Sequence, residues 1–243
     1  MPNVERPTGG EASQQGVRRS RREPLSRERV LQAALALVDA EGVDALSMRR
    51  LARELGCNAM ALYRYAPSRD ALLDGVVESV MAELASTRDG ADWEDQLRRT
   101  AHDFRNLALA HPRVVPLLAT RPLSTPLGLR PLGTLRPLEM LVALLVDAGF
   151  SPSDALHVYR AYFGFLYGHV LTELQEVAAV ANPEESNDLL RLGLHRLPPR
   201  EFPHVRRLAS ELADYDGATE LDQGLDILLT GLLNQLRPGA PTR

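Results

Sequence analysis

Between Ser47 and Arg69 the chain gathers side chains suited to gripping a polyanion. Arg49, Arg50, Arg64 and Arg69 carry guanidinium forks that match phosphate oxygens and the edges of bases. Tyr63 and Tyr65 offer hydroxyls that suit phosphate oxygens, and Ser47 and Arg69 stand where a clamp on a nucleic-acid backbone is needed. Asn58, Ala59, Met60, Tyr63 and Arg64 fall on one side of a short helical stretch, with Leu62 turned inward as its anchor. Arg50 is left open between nucleic-acid contact and a solvated face.

Positioning such a set requires helices that meet steeply. Ser26 is an N-cap before an apolar stripe at Val30, Leu31, Ala34, Leu35, Leu37 and Val38 that stops at Gly42. Ser47 opens a short helix through Leu55, with Met48, Leu51 and Ala52 on its inner side; Met48 also counts with the nucleic-acid set. Gly56-Cys57-Asn58 is a three-residue turn, and Asn58 caps a second short helix ending near Tyr65. That pairing is a helix-turn-helix, whose second helix enters the major groove. Pro67 blocks continuation, and Ser68 caps a connecting helix through Ala85.

The remainder also follows helical spacing. Expected helices run from Trp93 to Ala110, Pro112 to Ala119, Leu135 to Ala148, Pro152 to Val180, Phe202 to Tyr215 and Thr219 to Leu236, with a proline-rich loop between Thr120 and Pro137. Pro183 is read as punctuation. No stretch alternates long enough for a sheet, so the fold class is all-α. The expected domains are a disordered basic arm over 1–24, a helix-turn-helix domain over 25–70, and a larger helical domain over 71–243.

Charge is distributed unevenly. Residues 1–69 hold 12 arginines against 8 acidic side chains, while residues 70–243 hold 16 against 24. A basic head on an acidic body is expected when one end meets a polyanion. The absence of lysine is put down to a GC-rich genome rather than to chemistry. Cys57 is the single cysteine, which excludes an internal disulfide or a thiolate zinc site and points to a reducing compartment. The polar start, Met1 to Glu11, and the short aliphatic runs argue against export or a membrane span, so a cytoplasmic location is expected. The chain carries no Gly-x-Ser-x-Gly elbow, phosphate-binding glycine loop or His-Glu-x-x-His signature, which argues against an enzyme. No cofactor or metal site is expected.

The runs Leu25 to Val30, Leu46 to Ala52, Leu62-Tyr63-Arg64-Tyr65 and Arg69 to Asp74 resemble the N-terminal domain of the TetR family of bacterial repressors over residues 25–75. Trp93, Phe104 and the triplet Thr120-Arg121-Pro122 resemble its tetracycline-repressor subgroup. The resemblance implies a homodimer on a palindromic operator in double-stranded DNA, released by a small-molecule effector. It places Arg49 on a guanine, Tyr63 and Arg69 on phosphates, and Asn58, Ala59, Met60 and Arg64 on the base-reading face. Ala59 and Met60 depart from the subgroup's usual glutamine and proline, so a different operator is implied. Leu117 stands where the subgroup's magnesium-binding histidine falls, which argues against a magnesium–tetracycline effector.

In the body, the apolar helix Val158–Leu171 and the leucine-rich helix Leu221–Leu236 are the expected dimer elements. Phe104, Leu107, Leu117, Thr120, Met140, Leu144, Tyr162, Phe165 and His169 are the expected effector wall, apolar with a few polar points. The competing reading is an effector-independent DNA-binding dimer, an activator or an architectural protein.

Overall fold

A computed structural model describes residues 24–84, 92–124, 132–178 and 183–235. These residues form helices and one 3₁₀ turn, with no strand among them. None of the described helices is long and apolar enough to cross a membrane.

The head begins with α1 (Arg27–Glu41), the 3₁₀ turn Val43–Ala45, α2 (Met48–Leu55) and α3 (Ala59–Leu62). Each start is capped as the side chains dictate: Ser26 Oγ accepts from the Arg29 amide, Ser47 Oγ from Arg50, and Asn58 Oδ1 from Met60. Such caps contribute about 1 kcal/mol each. Gly56 closes α2 in the left-handed region at φ 62°, and the amides of Gly56 and Cys57 return to the carbonyls of Arg53 and Ala52. This Schellman closure ends α2 and turns the chain into Asn58, the cap of α3.

The connecting helix α4 (Arg69–Glu83), capped by Ser68, lies against α1 and continues the head's core into the body. Leu46, Leu51 and Leu62 are fully buried with Val30, Ala34, Leu72 and Val76. The body comprises α5 (Trp93–Ala110), α6 (Val115–Ser124), α7 (Leu132–Asp147), α8 (Pro152–Ala178), α9 (Pro183–His195), α10 (Pro203–Arg207), α11 (Ala209–Ala213) and α12 (Gly217–Gln235). α8 is central, packed on α5, α6, α7 and α12, while α9, α10 and α11 pack chiefly on one another.

Several boundaries differ from the expected ones. The segment expected as a proline-rich loop is helical through Ser124 and again from Leu132; its middle, 125–131, lies outside the described residues. Pro116 sits in the first turn of α6, where no amide donor is required. Pro137 interrupts one backbone bond of α7 but is buried in the core. Pro183, expected as punctuation, instead opens α9 at a position where its missing amide is harmless. The helix expected from Phe202 to Tyr215 is broken at Leu208. The basic cluster Arg18–Arg22 and Leu236 fall outside the described residues.

Candidate nucleic-acid interface

The outer side of α2 and α3 is open. Arg49, Arg53 and Arg64 are exposed, and none has a hydrogen-bond or ion-pair partner among the described residues. Met60 is 71% exposed and Tyr63 45%. Ser47 and Asn58 are exposed at the two helix starts, with side chains committed to caps. Exposed cations on α2 and just past the end of α3 leave a surface free to meet phosphates and groove edges.

Other residues of the expected set are turned to support. Arg69 donates from Nε to the Leu46 carbonyl and from Nη2 to the Val43 carbonyl, each at 2.7 Å, so its fork holds the 3₁₀ turn that leads into α2. Tyr65 donates its hydroxyl to the Leu25 carbonyl at 2.6 Å, tying α3's end to the start of α1. Met48 and Ala59 are partly buried against the core. Arg50, left open above, pairs with Glu41 at 2.5 Å, which separates it from its neighbour Arg49.

Three polar joints bind the head to the body. Arg121 of α6 donates to Asp74 at 2.6 Å and to Asp70 at 3.3 Å, both on α4. Glu78 of α4 accepts from Arg27 of α1 at 2.9 Å and from the Gly133 amide of α7 at 3.2 Å. A Cβ on Gly133 would lie 2.2 Å from the Glu78 side chain, so a larger residue there would displace Glu78. His111 meets Asp39 at 2.8 Å, and Arg113 donates to the carbonyls of Asp39 and Ala40 at the end of α1.

The expected effector wall is distributed unevenly. Phe104, Leu107, Leu117 and Tyr162 are buried, Met140, Leu144 and Phe165 are partly buried, and Thr120 is exposed with its hydroxyl on the Pro116 carbonyl. The rings of Phe104 and Tyr167 meet edge-on at 5.2 Å. Tyr162 donates its hydroxyl to the Leu97 carbonyl at 2.6 Å, and burial pushes its acidity far out of the usual range. Phe165 lies against Gly224 of α12, where a Cβ would sit 2.4 Å from the ring. A groove of about 510 Å3 lies elsewhere, between α1, α4 and α7, over Leu31, Leu35 and Ala82 and beside Glu78 and Arg136.

Beneath the wall is a charged node. Glu173 of α8, 5% exposed at its side chain, receives three hydrogen bonds from Arg105 of α5 at 2.5, 2.8 and 3.1 Å. His169, one turn before it and 7% exposed, has Nε2 3.6 Å from the carboxylate and no hydrogen bond at that atom. Burial holds His169 below its ordinary pKa, against the raising effect of Glu173. A Cβ on Gly217 would fall 2.1 Å from Glu173, so α12 starts almost on the carboxylate. Asp216 caps α12 by accepting from Ala218 and Thr219, which holds its carboxyl below the usual range.

A family model described as bacterial regulatory proteins, tetR family, matches residues 30–76. A second, tetracyclin repressor-like, C-terminal domain, matches residues 87–236. The chain belongs to the TetR family. It is a DNA-binding transcriptional regulator and not an enzyme. Among TetR-family relatives, an HTH-type transcriptional regulator of Saccharopolyspora erythraea is 29% identical over 218 residues, covering 88% of each chain. The tetracycline repressor protein class C of Escherichia coli is 30% identical over 215 residues, covering 86% of this chain and 90% of that one. The crystal structure of the Streptomyces coelicolor TetR family protein ActR in complex with actinorhodin aligns with a TM-score of 0.75 at 28% identity. That alignment covers 90% of this chain and 100% of the other.

Residue spacing alone missed Arg53, whose exposed guanidinium continues the basic face one turn beyond Arg49. Its i+4 relation to Arg49 was the available signal. The joints at Glu78 and Arg121 carry no such signal, because their partners lie 51 to 55 and 47 to 51 residues away.

Proposed function

We propose that this TetR-family regulator is a cytoplasmic homodimeric repressor, released from a palindromic operator by a small apolar or amphipathic ligand. The observation that carries the reading is the free, exposed set Arg49, Arg53, Tyr63 and Arg64 on a helix-turn-helix that packs on α1, which in turn packs on α4. Arg49 reads a guanine, Tyr63 grips a phosphate, and Ser47, Met48, Asn58, Ala59, Met60, Tyr65 and Arg69 form or support the same face.

Dimerisation runs through α8 and α12. Gly164 and Gly168 of α8 have nothing within 4 Å of where a Cβ would sit, and Ile227 of α12 is 77% exposed. Two copies thereby place two recognition helices at the spacing of successive major grooves, about 34–36 Å. Effector entry among Phe104, Leu107, Leu117, Thr120, Met140, Leu144, Tyr162, Phe165 and His169 shifts α6 and α7. Through Arg121 and Glu78 that motion tilts α4. The heads leave register because the ligand binds the tilted state more tightly. That ActR was crystallised with actinorhodin and that class C is a tetracycline repressor support a small organic effector.

The test is selection of an operator from a random duplex pool, followed by variants. Arg49→Ala is expected to lose about 1–3 kcal/mol of discrimination at one base pair per half-site, with folding intact. Tyr63→Phe should weaken every sequence alike. Unaltered preference in the first variant, or a single-position effect in the second, removes the role assigned.

A further inference from the structure

The body of α3 has an unusual chemistry for a reading helix. Its four residues, Ala59, Met60, Ala61 and Leu62, carry no side-chain group that forms a strong hydrogen bond. Leu62 is buried, Ala59 and Ala61 are short and half-buried, and Met60 alone projects, at 71% exposure. Asn58, just before it, spends its Oδ1 on the Met60 amide at 2.9 Å. The polar side chains nearby, Tyr63 and Arg64, stand past the helix's end. Whatever α3 itself reads at its centre is therefore read by apolar contact.

The major groove offers one apolar group on its natural bases, the C5-methyl of thymine. Guanine, cytosine and adenine present only donors and acceptors there, and Met60 would desolvate them without return. The exposed, unpaired cations of α2 and of the residues just past α3, Arg49, Arg53 and Arg64, bring a duplex to this domain rather than an apolar protein surface. We infer that Met60 is a specificity-determining residue that recognises the methyl group of a thymine in each operator half-site. The inference rests on the repressor reading above and deepens it by naming the base chemistry α3 selects.

Deoxyuridine differs from thymidine only by that methyl, and so isolates it. An operator is selected from a random duplex pool by the full-length protein, and each thymine is then replaced in turn by deoxyuridine. Removing one methyl is expected to weaken wild-type binding about fourfold at one half-site and about fifteenfold when both half-sites are changed. In Met60→Ala the same replacement should change binding by less than about 1.5-fold. In Met60→Leu, which keeps an apolar reach, most of the loss should persist. Met60 is exposed, so an unshifted melting curve shows that each variant folds.

A flat deoxyuridine scan in the wild type overturns the inference, and so does a methyl effect that survives intact in Met60→Ala. Failure of any sequence to enrich from the pool overturns the operator-binding reading itself. Enrichment followed by a flat scan overturns only the role of Met60.

Discussion

Arg105→Ala is expected to lower folding stability by about 3–5 kcal/mol, because it strands the Glu173 carboxylate in the body's interior without its hydrogen-bonding partner. For a chain of this size that is a fall in melting temperature on the order of 10 °C. Glu173 accepts three hydrogen bonds from this one side chain, and Gly217 presses α12 against it from the other side. Replacing Arg105 by lysine recovers only part of the loss, since an ammonium cannot match the two-oxygen fork.

The same variant has a signature in pH that a simple packing defect lacks. In the wild type, burial holds the His169 pKa below its ordinary 6.5, so below that pH the unfolded chain binds a proton that the folded chain does not. Stability therefore falls as pH drops through about 6.5 toward the folded value. Arg105 itself pushes the His169 pKa down, while Glu173 pushes it up. Removing Arg105 raises the folded pKa of His169, and a protonated imidazole 3.6 Å from Glu173 takes over part of the lost pairing. The stabilisation that this new pair supplies is present at low pH and disappears as pH rises through the raised value. The deficit of Arg105→Ala against wild type should thus be larger at pH 8 than at pH 6. Equal deficits in thermal melts at the two pH values would remove His169 from the node.

Local chemistry made much of the head legible from its sequence. Ser26, Ser47, Asn58 and Ser68 cap the helices they were expected to cap, because an N-cap acts within three residues of itself. Gly42 and Gly56 end helices at positive φ, where a side chain would be strained. The body's apolar stripes announced α5, α7, α8 and α12 for the same reason. Prolines were the weak point. Pro183 falls in a first turn, where the residue that usually stops a helix starts one instead.

The site was legible as a set of residue types, but not as a division of labour. Arg49 and Arg50 are adjacent and of one type, and only the family resemblance set Arg49 apart; the fold places Glu41 within reach of Arg50 and leaves Arg49 free. His169 and Glu173 share α8 at i,i+4 spacing, but Arg105 comes from α5, 68 residues from Glu173, and no period relates it to them. Which cation is structural and which is spare is decided by long-range packing, beyond the reach of spacing.

Arg69 is where that division has its largest consequence in the head. The sequence resemblance set it on a phosphate, yet both arms of its fork end on the carbonyls of Leu46 and Val43. Hydrogen bonds from a charged donor contribute about 1.5–3 kcal/mol each, so Arg69→Ala should lose about 3 kcal/mol or more of head stability. The first element to loosen is the turn Val43–Ala45, which sets where Ser47 begins α2 and hence how Arg49 and Tyr63 are presented. Arg69→Lys separates the two roles. A phosphate contact needs only charge and is largely restored by lysine, whereas two carbonyls on either side of a turn need the planar fork. Denaturant midpoints for the three proteins should therefore rank wild type well above both variants. If Arg69→Ala instead melts like wild type while the slope of log affinity against log salt falls by about one per head, Arg69 serves the phosphate and not the turn.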